Sequence, residues 1–232
     1  YERVPNEHRE IPAQNKSITT PDKENAVFLA RQNVPMKDDD ADFAALYVGN
    51  YILGGGAGFH SRLATRIRRV EGISYGVGSA FIAGPWDDDG RFFAIALYAP
   101  ENAARLDAAF RDEITKMLKD GFRADEIAEA KKGWLQARQV SRSQDRELVG
   151  TLANRLEEGR ALSFDRDVEK AIQGLSADQI IAAMRKRIDL NKITIVQAGD
   201  FAKAKKADKV EAKVETKTET GGKAESGAKP TP

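Results

Sequence analysis

The residues best suited to binding or catalysis lie between positions 50 and 79. Three consecutive glycines, Gly54, Gly55 and Gly56, precede an arginine-rich segment, and Tyr75 follows Arg68 by seven residues. A guanidinium can bind a peptide carbonyl through a planar fork of donors, and a phenol can donate to a developing oxyanion. The spacing of this arginine and this tyrosine does not by itself assign either role.

The glycine run has two interpretations. A glycine loop in front of a helix can bind phosphate. However, no Gly-Lys-Ser/Thr follows, and the segment before the loop has a helical pattern where a phosphate loop has a strand. A helix stop with close packing, for which a bare backbone is suited, is therefore favoured over nucleotide binding.

Four arginines follow the glycines: Arg62, Arg66, Arg68 and Arg69. A nucleic-acid interface would need stacking aromatics among them, but none interleaves and Glu71 comes directly after. The whole chain has a net charge of +1, which gives no field that attracts polyanions. An ion-paired or solvated helix face is favoured, and no nucleic-acid partner is predicted.

The residues that could bind a metal are few. The chain has no cysteine, which excludes thiolate zinc sites and cysteine nucleophiles, and its two histidines are His8 and His60. The inverted zinc motif H-x-x-E-H is absent, so neither a metal site nor a cofactor is predicted in this chain. Ser61 is predicted as a helix N-terminal residue, because neighbours in sequence such as His60 and Ser61 rarely form a catalytic pair.

Hydrophobic periodicity predicts the elements around these residues. Strand patterns occupy residues 16–20, 24–34, 73–83, 91–99 and 193–198, with a hairpin turn at 85–90. Helices are predicted over 41–53, 59–70, a segment that ends at Gly121, 125–142, 145–160, and from the capping box at Ser176 to near Ile188. The second of these helices carries one apolar stripe, made of Phe59, Leu63, Ile67 and Val70.

Composition divides the chain into three parts. Residues 1–16, with Pro5 and Pro12, indicate an interdomain linker; residues 17–202 carry the periodic elements; residues 203–232 alternate Lys, Glu, Thr, Ala and Gly, which predicts a disordered tail. The chain opens Tyr-Glu-Arg-Val-Pro, as expected of a piece of a longer protein. No stretch approaches the ~20 apolar residues of a membrane helix, so no membrane span is expected.

The run from residue 50 to residue 79 resembles the carboxy-terminal half of the insulinase/pitrilysin-type zinc peptidases, in which the pattern LGGG…SRL…iR…GlsYgv recurs. The resemblance extends over roughly residues 20–201. Residues 22–26 are similar to the family's opening pdKena, and residues 125–132 to its dEia.aK helix start. It implies an α+β fold: a mixed, mostly antiparallel sheet with helices packed on one face.

The resemblance also implies a function. In this family an Arg and a Tyr at this spacing bind substrate, which makes Arg68 and Tyr75 the expected substrate- and transition-state-binding pair, with Gly54, Gly55 and Gly56 as the adjoining loop. The family's zinc lies on another domain. The implied partners are therefore a zinc-binding peptidase domain, in the same parent chain or in a partner subunit, and peptide substrates. This chain alone is expected to be inactive.

An alternative function remains open at the sequence level. Some proteins with this fold are non-catalytic structural or interaction subunits. An intact Arg68–Tyr75 pair favours the peptidase, because a purely structural subunit has no need of it. The absence of cysteine and the many exported bacterial members of the family favour the periplasm or cell envelope, with the cytoplasm as the alternative.

Overall fold

Five strands form one mixed sheet in the computed structural model, which describes residues 2–56 and 61–202. The strands are β1 (Asn15–Thr19), β2 (Ala26–Val34), β3 (Ser74–Ile82), β4 (Gly90–Tyr98) and β5 (Thr194–Gly199). Their order across the sheet is β1-β5-β2-β4-β3. Only the β1–β5 pair is parallel among the described strands, and the other pairs are antiparallel. The predicted α+β class is confirmed.

Among the described residues, one α-helix precedes the β3–β4 hairpin in the chain and five follow it. They are α1 (Phe43–Asn50), α2 (Ala103–Asp120), α3 (Ala124–Arg142), α4 (Asp145–Glu157), α5 (Ser163–Gly174) and α6 (Ala177–Arg187). Two π-helical segments, Tyr51–Gly55 and Ala64–Val70, and two 3₁₀ turns, Pro100–Asn102 and Leu190–Lys192, complete the set.

The helices cover one face of the sheet. In β2 every second side chain, from Ala26 to Val34, is buried, whereas Val27 and Leu29 are exposed on the opposite face. This alternation is the period-2 signature of a strand with one covered face. Phe28 of β2 packs against Phe110 of α2, with ring centroids 5.1 Å apart, at the centre of the core. The prediction of helices on one face is thus confirmed, and the other face is open.

Two of the predicted helices differ from the structure. The helix predicted over 41–53 becomes α1 and then a π-helical segment, which continues to Gly55 before Gly56 turns extended. In the helix predicted over 59–70, Leu63 and Ile67 are buried as expected, but Val70 is exposed, so its assignment to the apolar stripe is wrong. Phe59 and His60 lie outside the described residues.

Helix α5 was not expected from the sequence. Phe164, Val168 and Ile172 are spaced by four residues and place one side of the helix against the core, where Ile172 is fully buried. This i, i+4 spacing was a usable signal.

The amino-terminal segment contacts the sheet. Arg3 forms a two-pronged ion pair with Asp87 in the β3–β4 hairpin loop, and the backbone N–H of Gln14 donates to Thr194 of β5. β1 begins at Asn15, inside the predicted linker 1–16. The predicted tail, residues 203–232, lies outside the described residues.

Candidate functional site

Tyr75 lies on a bulge at the start of the edge strand β3. Its neighbours Ser74 and Gly76 pair with Tyr98 and Leu97 of β4, so Tyr75 is the extra residue between two consecutive pairs. The buried Ser74 hydroxyl is 2.6 Å from the carbonyl oxygen of Leu97, to which it donates. A bulge re-aims the side chain that it carries, and here the Tyr75 side chain is 81% exposed.

The preceding helical segment places Arg68 beside this tyrosine. The chain leaves the π-helical segment Ala64–Val70 and reverses at Gly72, whose positive φ of 64° suits a residue without a Cβ. The N–H of Ile73 donates to the carbonyl of Ile67, which closes the turn. As a result the guanidinium carbon of Arg68 lies 4.6 Å from the ring centroid of Tyr75, a cation–π stack.

Two of the other arginines are held by carboxylates. Arg62 pairs with Glu126 at 2.7 Å and also donates to the carbonyl of Gly121. Burial would raise the pKa of Glu126, but the hydrogen bonds from Arg62 and from the Arg123 backbone outweigh it and lower that pKa. Arg66 pairs with Glu71 at 2.7 Å. The predicted ion-paired helix face is confirmed for Arg62 and Arg66, and Arg68 is the arginine that contacts Tyr75.

The predicted glycine loop packs against the strand that carries Tyr75. A Cβ on Gly54 would lie 2.5 Å from the Oγ and 2.7 Å from the backbone nitrogen of Ser79, closer than real Cβ contacts allow. Gly55 is equally confined by the Asn50 side chain, and the N–H of Gly56 donates to the carbonyl of Tyr51. These glycines therefore permit close packing of the π-helical turn on β3.

A buried polar pair fixes this contact. The Ser79 hydroxyl donates to the Asn50 Oδ1 at 2.7 Å, and the Asn50 Nδ2 lies 3.4 Å from the Ser79 carbonyl oxygen. Both residues are buried, so their polar groups satisfy each other. Sequence reasoning missed this pair, although an Asn at the end of an apolar helix and a Ser within an apolar strand were visible signals.

The remaining polar candidates do not form a catalytic or metal site. Ser61 is buried and its Oγ accepts from the N–H of Ala64, which confirms it as a helix N-terminal residue. Within the described ranges no group of three or more His, Asp or Glu residues could hold a metal ion. The described residues therefore do not fit a catalytic zinc, which needs three protein ligands.

The sequence profile of the peptidase M16 inactive domain matches residues 2–133 of this chain. The chain belongs to that family. This confirms the resemblance to the insulinase/pitrilysin-type peptidases and to their carboxy-terminal, non-zinc-binding domain. A search of curated protein sequences finds no match.

Solved structures share the fold. The M16 inactive domain from Pseudomonas fluorescens is 29% identical with a TM-score of 0.74, and the match covers 84% of this chain and 45% of that one. A protease from Helicobacter pylori has 17% identity and a TM-score of 0.72, with 82% and 44% covered. The periplasmic protease PqqL from Escherichia coli has 16% identity and a TM-score of 0.63, with 80% and 20% covered.

The M16 domain thus spans less than half the length of these similar proteins. No helix in the part of the chain that the structure describes is long and apolar enough to cross a membrane.

Proposed function

We propose that this M16 domain is the substrate-binding half of a zinc metalloendopeptidase. The observation that carries the proposal is the exposed Tyr75, lifted from the sheet by a bulge and stacked under Arg68. Stacking occupies the face of a guanidinium, whereas its N–H donors lie in its plane and point outward. The pair therefore places a phenol and a guanidinium side by side, with the Arg68 Nη1 buried.

The two side chains have separate tasks in this proposal. The Tyr75 hydroxyl donates to the oxyanion that develops on the scissile carbonyl, a role that matters more in the transition state than in the ground state. Arg68 binds a peptide carbonyl and, through the stack, restricts the tyrosine ring to one orientation. The Asn50–Ser79 pair and the glycine loop hold β3 in place behind them.

The zinc would belong to a partner domain, in the same parent chain or in another subunit. The residues that the structure describes contain no group of three or more His, Asp or Glu that could hold a metal ion. The similar proteins from Pseudomonas fluorescens and Helicobacter pylori are more than twice as long as the matched region. The partner supplies the metal and the general base, while this chain supplies the binding surface.

The open face of the sheet is the surface that we assign to this partner. Val27 and Leu29 of β2 and Ile95 and Leu97 of β4 lie side by side on it, each more than a third exposed. A contiguous exposed apolar patch of this kind is typical of an interaction site. The zinc-bearing domain is expected to cover it.

The periplasm or cell envelope is the proposed location. PqqL, a periplasmic protease, shares the fold, and a chain without cysteine is compatible with an oxidising compartment. Fractionation of the source cells followed by immunoblotting checks this assignment, and recovery in the cytosolic fraction would contradict it.

Turnover in the reconstituted enzyme tests the function. The chain is combined with the zinc-bearing half, and cleavage of an unstructured peptide is measured for wild type, Tyr75→Phe and Arg68→Lys. Loss of one oxyanion donor should lower kcat by about a hundredfold, equivalent to ~3 kcal/mol, with little change in KM. Arg68→Lys should also lower activity, because a point charge cannot reproduce the planar fork.

The matched control is Tyr47→Phe, which removes a phenol from a partly buried tyrosine packed edge-on against Trp134 of α3. It should leave turnover unchanged. Wild-type turnover in both Tyr75→Phe and Arg68→Lys would leave the family assignment standing and move the substrate contacts to Arg69, which is exposed beside Arg68. Absence of cleavage by the wild-type assembly would support the non-catalytic alternative.

A further inference from the structure

Helix α4 is attached to its own domain by its polar side. None of its residues is buried. Arg155 faces the domain, where it donates to Asp165 of α5 at 2.8 Å, pairs with Glu158, and lies over the ring of Phe164. An ordinary surface helix does the reverse and turns its apolar stripe inward.

The apolar stripe of α4 consequently faces solvent. Val149, Leu152 and Leu156 are spaced by three and four residues and are 63%, 44% and 83% exposed. Side chains at this spacing form one continuous row along a helix. Leaving such a row in water is unfavourable, and the spacing is that of a helix–helix seam.

Two side chains of opposite charge flank this row, one near each end of α4. They would pair with each other across two antiparallel copies of the helix. Arg146 and Glu157 are eleven residues apart, which is about three helical turns, so they lie on the same flank at opposite ends of α4. Neither forms an ion pair with any described residue. In a two-fold antiparallel pair centred near Leu152, each Arg146 would lie beside the Glu157 of the other helix.

We propose that the α4 stripe is the contact surface for a second copy of this chain. The contact is isologous: Leu152 lies on the two-fold axis, Val149 packs near Leu156 of the other copy, and Arg146 pairs with Glu157 on each side. Residues 203–232 are not a suitable occupant, because they contain no leucine, isoleucine or aromatic residue. The proposal is independent of the substrate-binding role of Tyr75.

The expected dimer is weak. Two helices of 13 residues bury less than the ~1,000 Å² of a stable interface, so a Kd of roughly 100 µM is expected. Sedimentation velocity on the full chain between about 10 and 500 µM should show a monomer–dimer equilibrium. Leu152→Glu should abolish dimerisation over this range while the melting temperature stays unchanged, because α4 contributes no buried residue to the core.

Charge reversal distinguishes dimerisation through α4 from the binding of another partner to the same stripe. Arg146→Glu should weaken the dimer by about tenfold, since it opposes carboxylates on both sides of the axis. The double variant Arg146→Glu/Glu157→Arg should restore the wild-type Kd to within about twofold. Lys170→Glu, on the exposed surface of α5, is the control and should have no effect.

Three results would overturn the proposal. They are a wild-type chain that stays monomeric at 500 µM, a dimer that survives Leu152→Glu, and a double reversal that fails to recover the affinity lost in Arg146→Glu. The first would rule out a second copy as the occupant of the stripe, and the others would place the dimer contact elsewhere.

Discussion

At the scale of single residues, the position of Tyr75 depends on buried groups in and behind its strand. The bulge exists because Ser74 and Gly76 pair with adjacent residues of β4, and the Ser74 hydroxyl anchors it from the buried side. Asn50 and Gly54 then pack against Ser79 on the same strand. The exposed pair is thus positioned by a rigid buried layer, which is the arrangement that precise binding requires.

Gly54 provides a direct test of this layer. In Gly54→Ala the new Cβ would meet the backbone nitrogen of Ser79 at 2.7 Å, and backbone cannot move aside as a flexible side chain can. Overpacking of this kind should lower the free energy of unfolding by about 1–3 kcal/mol, measured by urea denaturation. Gly76→Ala is the matched control, because nothing lies within 4 Å of its new Cβ, and it should cost less than ~1 kcal/mol. Equal effects in the two variants would rule out close packing as the reason for the glycine.

At the scale of elements, ion pairs take the place of buried apolar contacts in holding α4 to the rest of the domain. Asp165 of α5 accepts from Arg155 of α4 and from Arg138 of α3, so one carboxylate joins three helices. Arg142 of α3 also pairs with Glu169 of α5. The core cluster has no member in α4. The attachment of α4 is therefore expected to respond to pH.

The sign of this response follows from Asp165. The hydrogen bond from Arg155 holds the pKa of Asp165 below its ordinary value of 3.8 in the folded protein. A lowered folded pKa adds stability at all pH values above the unfolded pKa, and this stability is lost as the pH falls below about 3.8. Asp165→Asn should destabilise the domain by about 1–3 kcal/mol at pH 7, and by less at pH 3.

Urea denaturation at both pH values measures this difference, and hydrogen exchange of the α4 amides shows whether the loss is local. Asp167→Asn is the control, since its partner Arg166 is mostly exposed, and such surface pairs contribute less than ~1 kcal/mol. A destabilisation by Asp165→Asn that is the same at pH 3 and pH 7 would assign the role of Asp165 to hydrogen bonding in general and not to its charge.

Periodicity predicted the existence of most elements but not the direction in which each one faces. The leucines at 148, 152 and 156 indicated a helix, and α4 is one, yet none of them is buried, because Arg155 and Asp165 define the inner side. The family resemblance implied helices on one face of the sheet, and the alternating burial along β2 agrees with it. The Arg68–Tyr75 stack needed three-dimensional information, since it depends on a reversal at Gly72 and on a one-residue bulge.

At the scale of the whole molecule, the M16 domain has an open apolar face that its own helices do not cover. The described helices pack on the opposite side, where Phe28, Phe92 and Phe110 are fully buried. The similar proteins from Pseudomonas fluorescens and Helicobacter pylori have more than twice the matched length. A second domain seated on this face would bury the exposed row and, in the proposed enzyme, place its zinc near Tyr75, which lies at the edge of the same sheet.

Leu97→Glu tests this arrangement. Leu97 is 54% exposed on the open face and pairs with Gly76, next to Tyr75, so a carboxylate there would be buried without a partner when the second domain binds. Its Kd for the separately produced zinc-bearing half, measured by calorimetry, should rise by more than tenfold, while its own melting temperature stays close to wild type. Val140→Glu on α3, at 53% exposure, is matched in solvent access but lies off this face, and it should leave the Kd unchanged. If both variants bind like wild type, the open face is not the docking surface; if both bind weakly, the loss reflects added negative charge and not burial of the apolar row.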